Sequence, residues 1–567
     1  MYTETANGEM SYERPIATNI SFDYALTSSI SPNDAWRFNT SAGAQYFVRQ
    51  QENFSNTGQG FASIRSTTIN QIAQSNISTS YSLIDNRSLG FYVQEEIAFG
   101  ERIFVTGAIR FDDNSTFGEA APAQKYPKIS ATWTVSDESF WSFEAINSLR
   151  VRGAWGKAGR QPSALAQFNQ YVVVPGSGGA SAIRASAPGN TAVLPEVSSE
   201  LELGFDVAVL DDKVSSEFTY YNRHNRQSLL GIANLPSLGL PGSVDTNVGQ
   251  IDNWGWEAQV SARLFESDLV SVDLDLGADY TNNEIKDLCD TNAAGVDTCF
   301  AGTNNIRIGY PFPNIVVADD VVEAGFDNSL ALCDLTQYLA GTRCGWGQNA
   351  FGQRFYAYCD MGVSTAPGGN SDPNASRYGN FPGGPLEQCG FTDAIDRQIY
   401  AGRGYASRTF SVAPRFTFLE GDLQVFALAE GQYGRTGDDS GHLWGHNYRN
   451  SAVSRVQDDA VWTATDLAVG TACNWTQCLF DADFWKLREI GARYDLPESL
   501  IGVTGASRAS LAFSARNLMT IWQAQKRVYG HVVTDPENGN PNSLSGAGNF
   551  YAQPPMTSMN VTLRVTF

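Results

Sequence analysis

Two histidines and two cysteines late in the chain have a spacing that could hold a metal. His442 and His446 are separated by three residues, and Cys473 and Cys478 by four. Imidazole nitrogens and thiolates are ligands that zinc accepts in a tetrahedral site. Here the histidines come first, and a long polar stretch separates the two pairs. This arrangement favours a disulfide between Cys473 and Cys478 over a zinc site, so no metal is predicted.

Other patterns typical of catalysis are weak. The cluster Gly402-Arg403-Gly404 does not lie between a predicted strand and a predicted helix, so a phosphate-binding loop is not indicated. The sequence has no Gly-x-Ser-x-Gly segment and no ordered set of serine, histidine and aspartate. We therefore predict neither an enzyme nor a bound cofactor.

Aromatic side chains in the long polar stretches are better candidates for ligand binding. Flat rings beside asparagine, aspartate and glutamine suit sugars or peptides, because the rings bury apolar area while amides bond to polar edges. The predicted substrate-binding residues are Trp346, Tyr356, Trp444, Tyr448 and Trp462. The alternative is that these rings pack the polar stretches on one another.

The closing residues indicate what kind of structure holds these stretches. From Met559 to Phe567, apolar and polar residues alternate up to the last residue. In an extended strand, successive side chains point to opposite faces. A closed membrane barrel needs such a last strand, because each unpaired backbone group in lipid costs several kcal/mol.

The same alternation recurs in hairpins. Residues 200–210 and 214–221 form one predicted pair, and residues 254–264 and 270–279 form another. Short turns alternate with long polar connections, at roughly 157–199, 224–252, 282–407, 434–483 and 518–557. Residues 50–88 are also polar and are predicted to be an outside loop. Transmembrane barrels have this order of short periplasmic turns and long extracellular loops, and we count about fifteen membrane strands.

Composition agrees with a membrane barrel. The chain has 567 residues, of which 12% are aromatic and 17% charged. No run of consecutive apolar residues approaches the length of about 18 that a transmembrane helix needs. The net charge of −22 makes nucleic acid an unexpected partner. Residues 1–30 lack a basic segment followed by an apolar core, so we expect a fragment without its export signal.

Acidic residues gather on the polar side of the predicted hairpins. The residues expected to face a lumen are Glu200, Glu202, Asp206, Asp273 and Asp275. A lumen lined by carboxylates attracts cations and repels anions. We therefore predict a neutral or cationic cargo rather than a polyanion.

All eight cysteines lie in predicted outside loops. An even number confined to loops indicates disulfides formed in an oxidising compartment. Beyond the Cys473–Cys478 pair, the sequence leaves open how the others connect: Cys289, Cys299, Cys333, Cys344, Cys359 and Cys389.

Arg110–Gly118 is close to the pattern R-x-D-G-S-S-x-F-G, with Asp113 in place of the first glycine. This pattern resembles a motif of the SusC/RagA-type TonB-dependent outer-membrane transporters, and further segments resemble other motifs of that family. Leu149–Gly159 is similar to K-L-R-x-S-x-G-x-x-G, and Asn247–Glu257 to N-x-G-x-I-x-N-x-G-x-E. Other similar segments are Tyr126–Trp133, Leu194–Glu196, Ile308–Pro311, Asp483–Arg488 and Asp535–Phe567.

The resemblance implies an all-β fold, a transmembrane antiparallel β-barrel of roughly 22 strands with a plugged lumen. Residues 1–567 would be the C-terminal portion of the barrel domain, incomplete with about 15 strands and without the N-terminal plug. Residues 282–407 would be a long cysteine-bearing extracellular loop.

The function that the resemblance implies is TonB-coupled import of a nutrient, such as an oligosaccharide or peptide, across the bacterial outer membrane. The implied partners are outer-membrane lipids, TonB through the missing N-terminal region and a SusD-like surface lipoprotein. Two alternatives remain from the sequence: a passive outer-membrane pore without a plug, and a secreted lectin-like β-sandwich.

Overall fold

The structure is a computed structural model that describes the main strands and part of the long connections. The described residues are 8–63, 65–119, 121–233, 243–291, 297–299, 306, 308–318, 323–326, 347–348, 354–358, 398–438, 479–502, 505–528, 531–532, 535–537 and 555–567. Within these ranges, no helix has the length and apolar character needed to cross a membrane.

Fifteen strands form one antiparallel sheet in which the order along the chain is also the order in space. They are β1 Glu9–Asn33, β2 Trp36–Gln59, β3 Ile77–Phe99, β4 Ile103–Asn114, β5 Gln124–Thr134, β6 Ile146–Arg160, β7 Glu196–Val209, β8 Val214–Ala233, β9 Ser243–Glu266, β10 Val270–Asp287, β11 Arg408–Phe418, β12 Leu423–Tyr433, β13 Phe484–Asp495, β14 Arg508–Gln523 and β15 Ser558–Thr566. Among the described strands, β1 and β15 are the two edges. The predicted count of about fifteen strands is confirmed.

The connections carry short elements of their own. Six small sheets are described: Gln170–Pro175 with Ser181–Ala187, Cys289–Thr291 with Asp297–Cys299, Asn314–Ala318 with Gln398–Arg403, Glu323–Phe326 and Gly347–Gln348 with Arg354–Tyr358, Thr436–Asp438 with Leu479–Asp481, and Arg527–Val528 with His531–Val532. The short helices are the 3-10 turns Ile69–Gln71, Gln74–Asn76, Val135–Asp137, Ser177–Gly179 and Leu419–Gly421, and the α-helical turn Glu498–Ile501.

Connection lengths keep the predicted order. One end of the sheet carries the connections between β1 and β2, β3 and β4, β7 and β8, β9 and β10, and β11 and β12, each at most four residues long, and two somewhat longer ones, 135–145 and 496–507. The other end carries the rest, including 161–195, 288–407, 434–483 and 524–557. We call this the long-connection end. Membrane barrels have this asymmetry, with short periplasmic turns on one side and longer extracellular loops on the other.

The register divides the sheet into an apolar face and a polar face. Directly opposed residues in an antiparallel pair share a face. One row runs through Phe205, Phe218 and Ala258, and the next row through Asp206, Glu217 and Gln259. The apolar face is open, since Leu203 keeps 50% of its surface exposed. A β-sandwich buries its apolar face against a second sheet, so the lectin-like alternative is wrong.

The closing strand has the predicted alternation. In β15, Met559, Val561 and Leu563 lie opposite Ala515, Phe513 and Leu511 of β14. These three β15 side chains are more than 60% exposed. They extend the same apolar face that the rest of the sheet presents.

Two predicted loops are wrong in extent. Residues 50–88 contain the end of β2 and the start of β3, paired from Gly58 with Ile77 to Gln50 with Asp85. Residues 224–252 likewise hold the ends of β8 and β9. Beyond the apolar band, both faces of a strand meet water. The alternation of polarity therefore stops, while the backbone hydrogen bonds continue.

Candidate functional site

The five predicted lumen-facing carboxylates all lie on the polar face. Arg223 Nη2 is 2.6 Å from Glu200 Oε2. Arg150 Nη2 is 2.7 Å from Asp206 Oδ2, and Arg263 Nε is 3.2 Å from Asp273 Oδ1. Because each arginine stands on the neighbouring strand, its pairing follows only from the register. Three of the five charges are thus partly neutralised, which the sequence did not reveal.

Asp275 and three further carboxylates cluster around a depression of about 380 Å³ on the polar face of β8 to β11. We call it the acidic pocket. It is lined by Glu217, Glu257, Asp275 and Asp279, with the hydroxyl groups of Thr219 and Ser411 beside them. Among the described lining residues there is no lysine or arginine. The pocket therefore offers carboxylates to an incoming cationic group.

A second cavity, of about 530 Å³, lies nearer the long-connection end on the polar face of β6 to β10. We call it the rim pocket. Its apolar lining includes Val197, Leu229, Leu230, Ile251, Ile285 and Phe312, and its polar lining includes Arg223, Asn225 and Asn253. The Nδ2 atom of Asn253 is buried and has no hydrogen-bond partner among the described residues. An apolar hollow with a few directed polar groups is the usual form of a ligand site.

One wall of the rim pocket comes from the 288–407 connection. Asn283 of β10 donates from Nδ2 to the carbonyl of Phe312 at 2.8 Å and accepts from its amide at 2.6 Å. Ile285, which is fully buried, exchanges two backbone bonds with the segment: its amide donates to the Tyr310 carbonyl at 2.9 Å, and its carbonyl accepts from the Gly309 amide at 2.8 Å. Two of these bonds fix the segment Ile308–Pro311, which resembles a family motif, and the other two fix the adjoining Phe312.

The 161–195 connection is held in the same way. Asn247 of β9 donates from Nδ2 to the Leu194 carbonyl at 2.7 Å and accepts from the Leu194 amide at 2.9 Å. Pro195 is fully buried, and the carbonyl of Val193 accepts from the amide of Gly118 at 2.9 Å. A Cβ at Gly118 would lie 2.3 Å from the Thr191 carbonyl oxygen, so only glycine fits there.

A charged cluster ties the 524–557 connection to the polar face of β12 and β13. Lys486 bonds to Asp535 and lies 3.0 Å from Glu537 Oε2. Arg488 makes a bidentate pair with Glu537, at 2.6 Å and 2.8 Å, and also contacts Glu430 at 3.0 Å. We call these five residues the anchor cluster. Lys486 and Asp535 are only 7% and 8% exposed.

The anchor cluster should release the connection in acid. Burial by itself raises the pKa of the Glu537 carboxyl, but hydrogen bonds from Arg488 and Lys486 outweigh burial and lower that pKa to about 2. A lowered pKa means that the docked state favours the carboxylate, so its stabilisation is present above the ordinary pKa of 4.5 and is lost as pH falls toward 2.

Hydrogen exchange of a peptide covering Asp535–Glu537, corrected for the intrinsic rate at each pH, measures this release. We expect protection to fall roughly tenfold or more between pH 4.5 and the lowest pH at which the sheet remains folded. Glu537→Gln should be less protected at neutral pH and should lose most of the acid dependence. An acid dependence that is identical in the variant would contradict the role of Glu537.

Most of the predicted ligand-binding aromatics lie outside the described part of the chain. Outside the described residues are Trp346, Trp444, Tyr448, Trp462, Cys473, Cys478, His442 and His446. Tyr356 is described in its backbone alone, opposite Gly325 in a small sheet. Cys289 forms a disulfide, and Cys299 stands opposite it in the register of their hairpin. The rim pocket was not predicted, and its one sequence signal was the segment Asn247–Glu257, which contains Asn253 of the lining.

A family model described as TonB dependent receptor-like, beta-barrel, matches residues 2–381. The chain belongs to this family. Its polar face is therefore the face that a membrane barrel turns to its interior, and its apolar face is the one turned to lipid. The family is one of outer-membrane receptors, which agrees with the predicted SusC/RagA resemblance.

Relatives in Formosa agariphila are named TonB-dependent receptors. TonB-dependent receptor P3 is 22% identical over 533 residues, covering 88% of this chain and 48% of the relative. TonB-dependent receptor P26 is 25% identical over 205 residues, covering 35% of this chain and 20% of the relative. The chain thus spans about half the length of P3 and less of P26.

Solved structures show the fold independently. The RagAB peptide importer in its open-open state matches with a TM-score of 0.72 and 16% identity, over 99% of this chain and 56% of that chain. The RagAB peptide transporter matches with a TM-score of 0.69 at the same identity and coverage. At this identity the likeness establishes a shared barrel fold.

Proposed function

We propose that this chain forms most of the wall of a bacterial outer-membrane importer that takes up a nutrient, an oligosaccharide or a peptide, by coupling to TonB. Residues 1–567 act as the C-terminal portion of its barrel domain, and residues 282–407 as an extracellular loop. A SusD-like surface lipoprotein covers the long-connection end. Membership of the TonB-dependent receptor family supports the proposal.

One observation carries the proposal furthest. Both pockets open on the polar face, which is the interior of a barrel, and residues of the long 288–407 connection line the rim pocket. A cargo that enters from outside meets these groups first. A wall that served only as a passive pore has no need for a partly apolar cavity at its mouth.

Energy dependence separates the importer from the passive pore. Uptake of fluorescent peptides and oligosaccharides is measured in cells that carry the full-length protein, with and without TonB. We expect uptake of at least one cargo class to fall to background when TonB is deleted or the proton gradient is collapsed. Uptake that is unchanged in both conditions would identify a passive pore.

The charge of the interior predicts which cargo is accepted. Within the described residues, no lysine or arginine forms an ion pair with Glu202, Glu217, Glu257 or Asp279, all of which project from the polar face. Neutral or cationic cargo should therefore be favoured. Tighter binding of sulfated or phosphorylated glycans than of their neutral counterparts would contradict this expectation.

A further inference from the structure

The rim pocket and the acidic pocket lie in series along the same two strands. Asn253 of β9 stands opposite Asn283 of β10 at the rim pocket, and Glu257 stands opposite Asp279 at the acidic pocket. The two positions are four residues apart on each strand. At about 3.3 Å per residue, the pockets are about 13 Å apart along the wall.

The lining of the rim pocket favours an aliphatic side chain over a sugar ring. Leu229, Leu230 and Ile251 form an apolar surface, and Phe312 is the one aromatic residue in the described lining. Sugars are usually held on flat aromatic faces with several polar partners, whereas branched aliphatic walls fit aliphatic groups. The unpartnered Asn253 Nδ2 beside this surface can donate to a carbonyl oxygen, which every residue of a peptide carries.

The spacing matches an extended peptide. In an extended chain, residues four apart point to the same side and lie about 13 Å apart. A peptide that places one side chain in the rim pocket therefore brings the side chain four residues away to the acidic pocket. There, four carboxylates with no basic residue in the described lining select a cationic group.

We propose that the rim pocket binds an aliphatic side chain of an extended peptide cargo, with Asn253 Nδ2 donating to its main-chain carbonyl, and that a lysine or arginine four residues along that peptide enters the acidic pocket. The inference rests on the proposed import function and specifies its cargo as an apolar and basic peptide.

Binding of designed peptides to the full-length protein in detergent tests the assignment. The probes are fluorescein-labelled peptides of glycine and serine that carry one leucine and one lysine, either four residues apart or three residues apart, in both orders. We expect one order of the four-residue spacing to bind about tenfold more tightly than its three-residue counterpart, because an odd spacing turns the two side chains to opposite sides. Equal affinity for both spacings would overturn the proposal.

Variants connect the binding to the two pockets. Ile251→Asp should weaken the leucine and lysine peptide at least about tenfold, since an aliphatic group would then meet a carboxylate. Thr562→Asp is the matched control, on the polar face of β15, five strands from β10. It should bind as the unchanged protein does. Equal losses in both variants would contradict the rim pocket.

A reciprocal charge change excludes a folding defect as the explanation. Glu257→Lys should weaken the lysine peptide and strengthen a peptide with glutamate in the same position, each about tenfold. A misfolded variant cannot gain affinity for a new ligand. Loss of affinity for both peptides would contradict the proposed role of the acidic pocket.

The inference and the proposed function can fail separately. TonB-dependent uptake of an oligosaccharide, with no binding of any designed peptide, would refute the inference and leave the importer. Spacing-dependent peptide binding with uptake that does not need TonB would refute the importer and leave the two pockets.

Discussion

Replacing Lys486 with methionine should free the Asp535–Glu537 segment from the wall. The ammonium group lies in a nearly closed site, bonded to Asp535 and within 3.0 Å of Glu537, with the ring of Phe484 at 5.1 Å. Without it, the three carboxylates of the anchor cluster are left with the guanidinium of Arg488 and with the nearby Arg435, whose Nη1 donates to the Glu537 carbonyl at 3.3 Å. Removing one partner of a buried ion pair typically costs about 3–5 kcal/mol, because the remaining charge stays desolvated.

Hydrogen exchange at Asp535–Glu537 measures the loss at neutral pH. We expect protection to fall at least about a hundredfold, which corresponds to about 3 kcal/mol of docking free energy. Arg493→Met is the control, because its pair with Asp495 is exposed, at 44% and 35%, and should contribute about 1 kcal/mol or less. Similar losses in the two variants would show that the anchor cluster does not hold the connection.

A second substitution confirms that charge and not packing is responsible. Lys486→Met combined with Asp535→Asn removes the unpaired carboxylate together with its partner. The double variant should recover part of the protection, because the two effects are coupled through one contact. Strictly additive losses would mean that Lys486 acts through its volume alone.

Replacing Leu203 with arginine should strongly destabilise the inserted protein. Leu203 lies near the middle of β7 on the apolar face and is half exposed. An arginine at the midplane of a membrane barrel costs about 2–4 kcal/mol, because the guanidinium must be placed in hydrocarbon. Val272→Arg should cost less, about 0–1 kcal/mol, since Val272 is the third residue of β10 and lies near the end of that strand.

Refolding into lipid bilayers along a denaturant gradient measures both variants. Glu202→Arg is the matched control, one residue from Leu203 and on the opposite face. Its side chain should remain in water, and its free energy of unfolding should change by no more than about 1 kcal/mol. Equal destabilisation by Leu203→Arg and Glu202→Arg would contradict the assignment of faces.

The alternation of polarity predicted the strands wherever lipid and water act on opposite faces. This is why β7 and β15 were found close to their true positions, whereas the ends of β8 and β9 toward the long connection between them were missed. Where β2 ends and β3 begins, water meets both faces, so polar and apolar residues no longer alternate in the sequence. The backbone pairing nevertheless continues there for about ten more residues. Such strand ends are held by backbone hydrogen bonds, which leave no pattern of residue types in the sequence.

The candidate site was only partly predictable. The carboxylates of the wall were identified, but their arginine partners were not, because Arg150 and Arg223 face Asp206 and Glu200 only in one register. The rim pocket combines residues of five strands with Phe312 from a long connection. Such a cavity arises from long-range contacts that no local pattern specifies.

The segments that resemble family motifs have a structural role. Asn247 fixes the segment that begins at Leu194, and Lys486 and Arg488 fix the segment that begins at Asp535. In each case one motif on a strand binds a second motif on a connection. The motifs thus mark where long connections are attached to the wall.

Site-by-site accessibility along β7 tests the central claim most directly. Nitroxide side chains are introduced through an unnatural amino acid, which leaves the native disulfides intact, and each is exposed to oxygen and to a water-soluble nickel complex in bilayers. We expect oxygen to relax the labels most at Leu201, Leu203 and Phe205, and nickel to relax them most at Glu200, Glu202 and Asp206. The same profile for both reagents, or nickel access at Leu203, would contradict a wall with lipid on one face and water on the other.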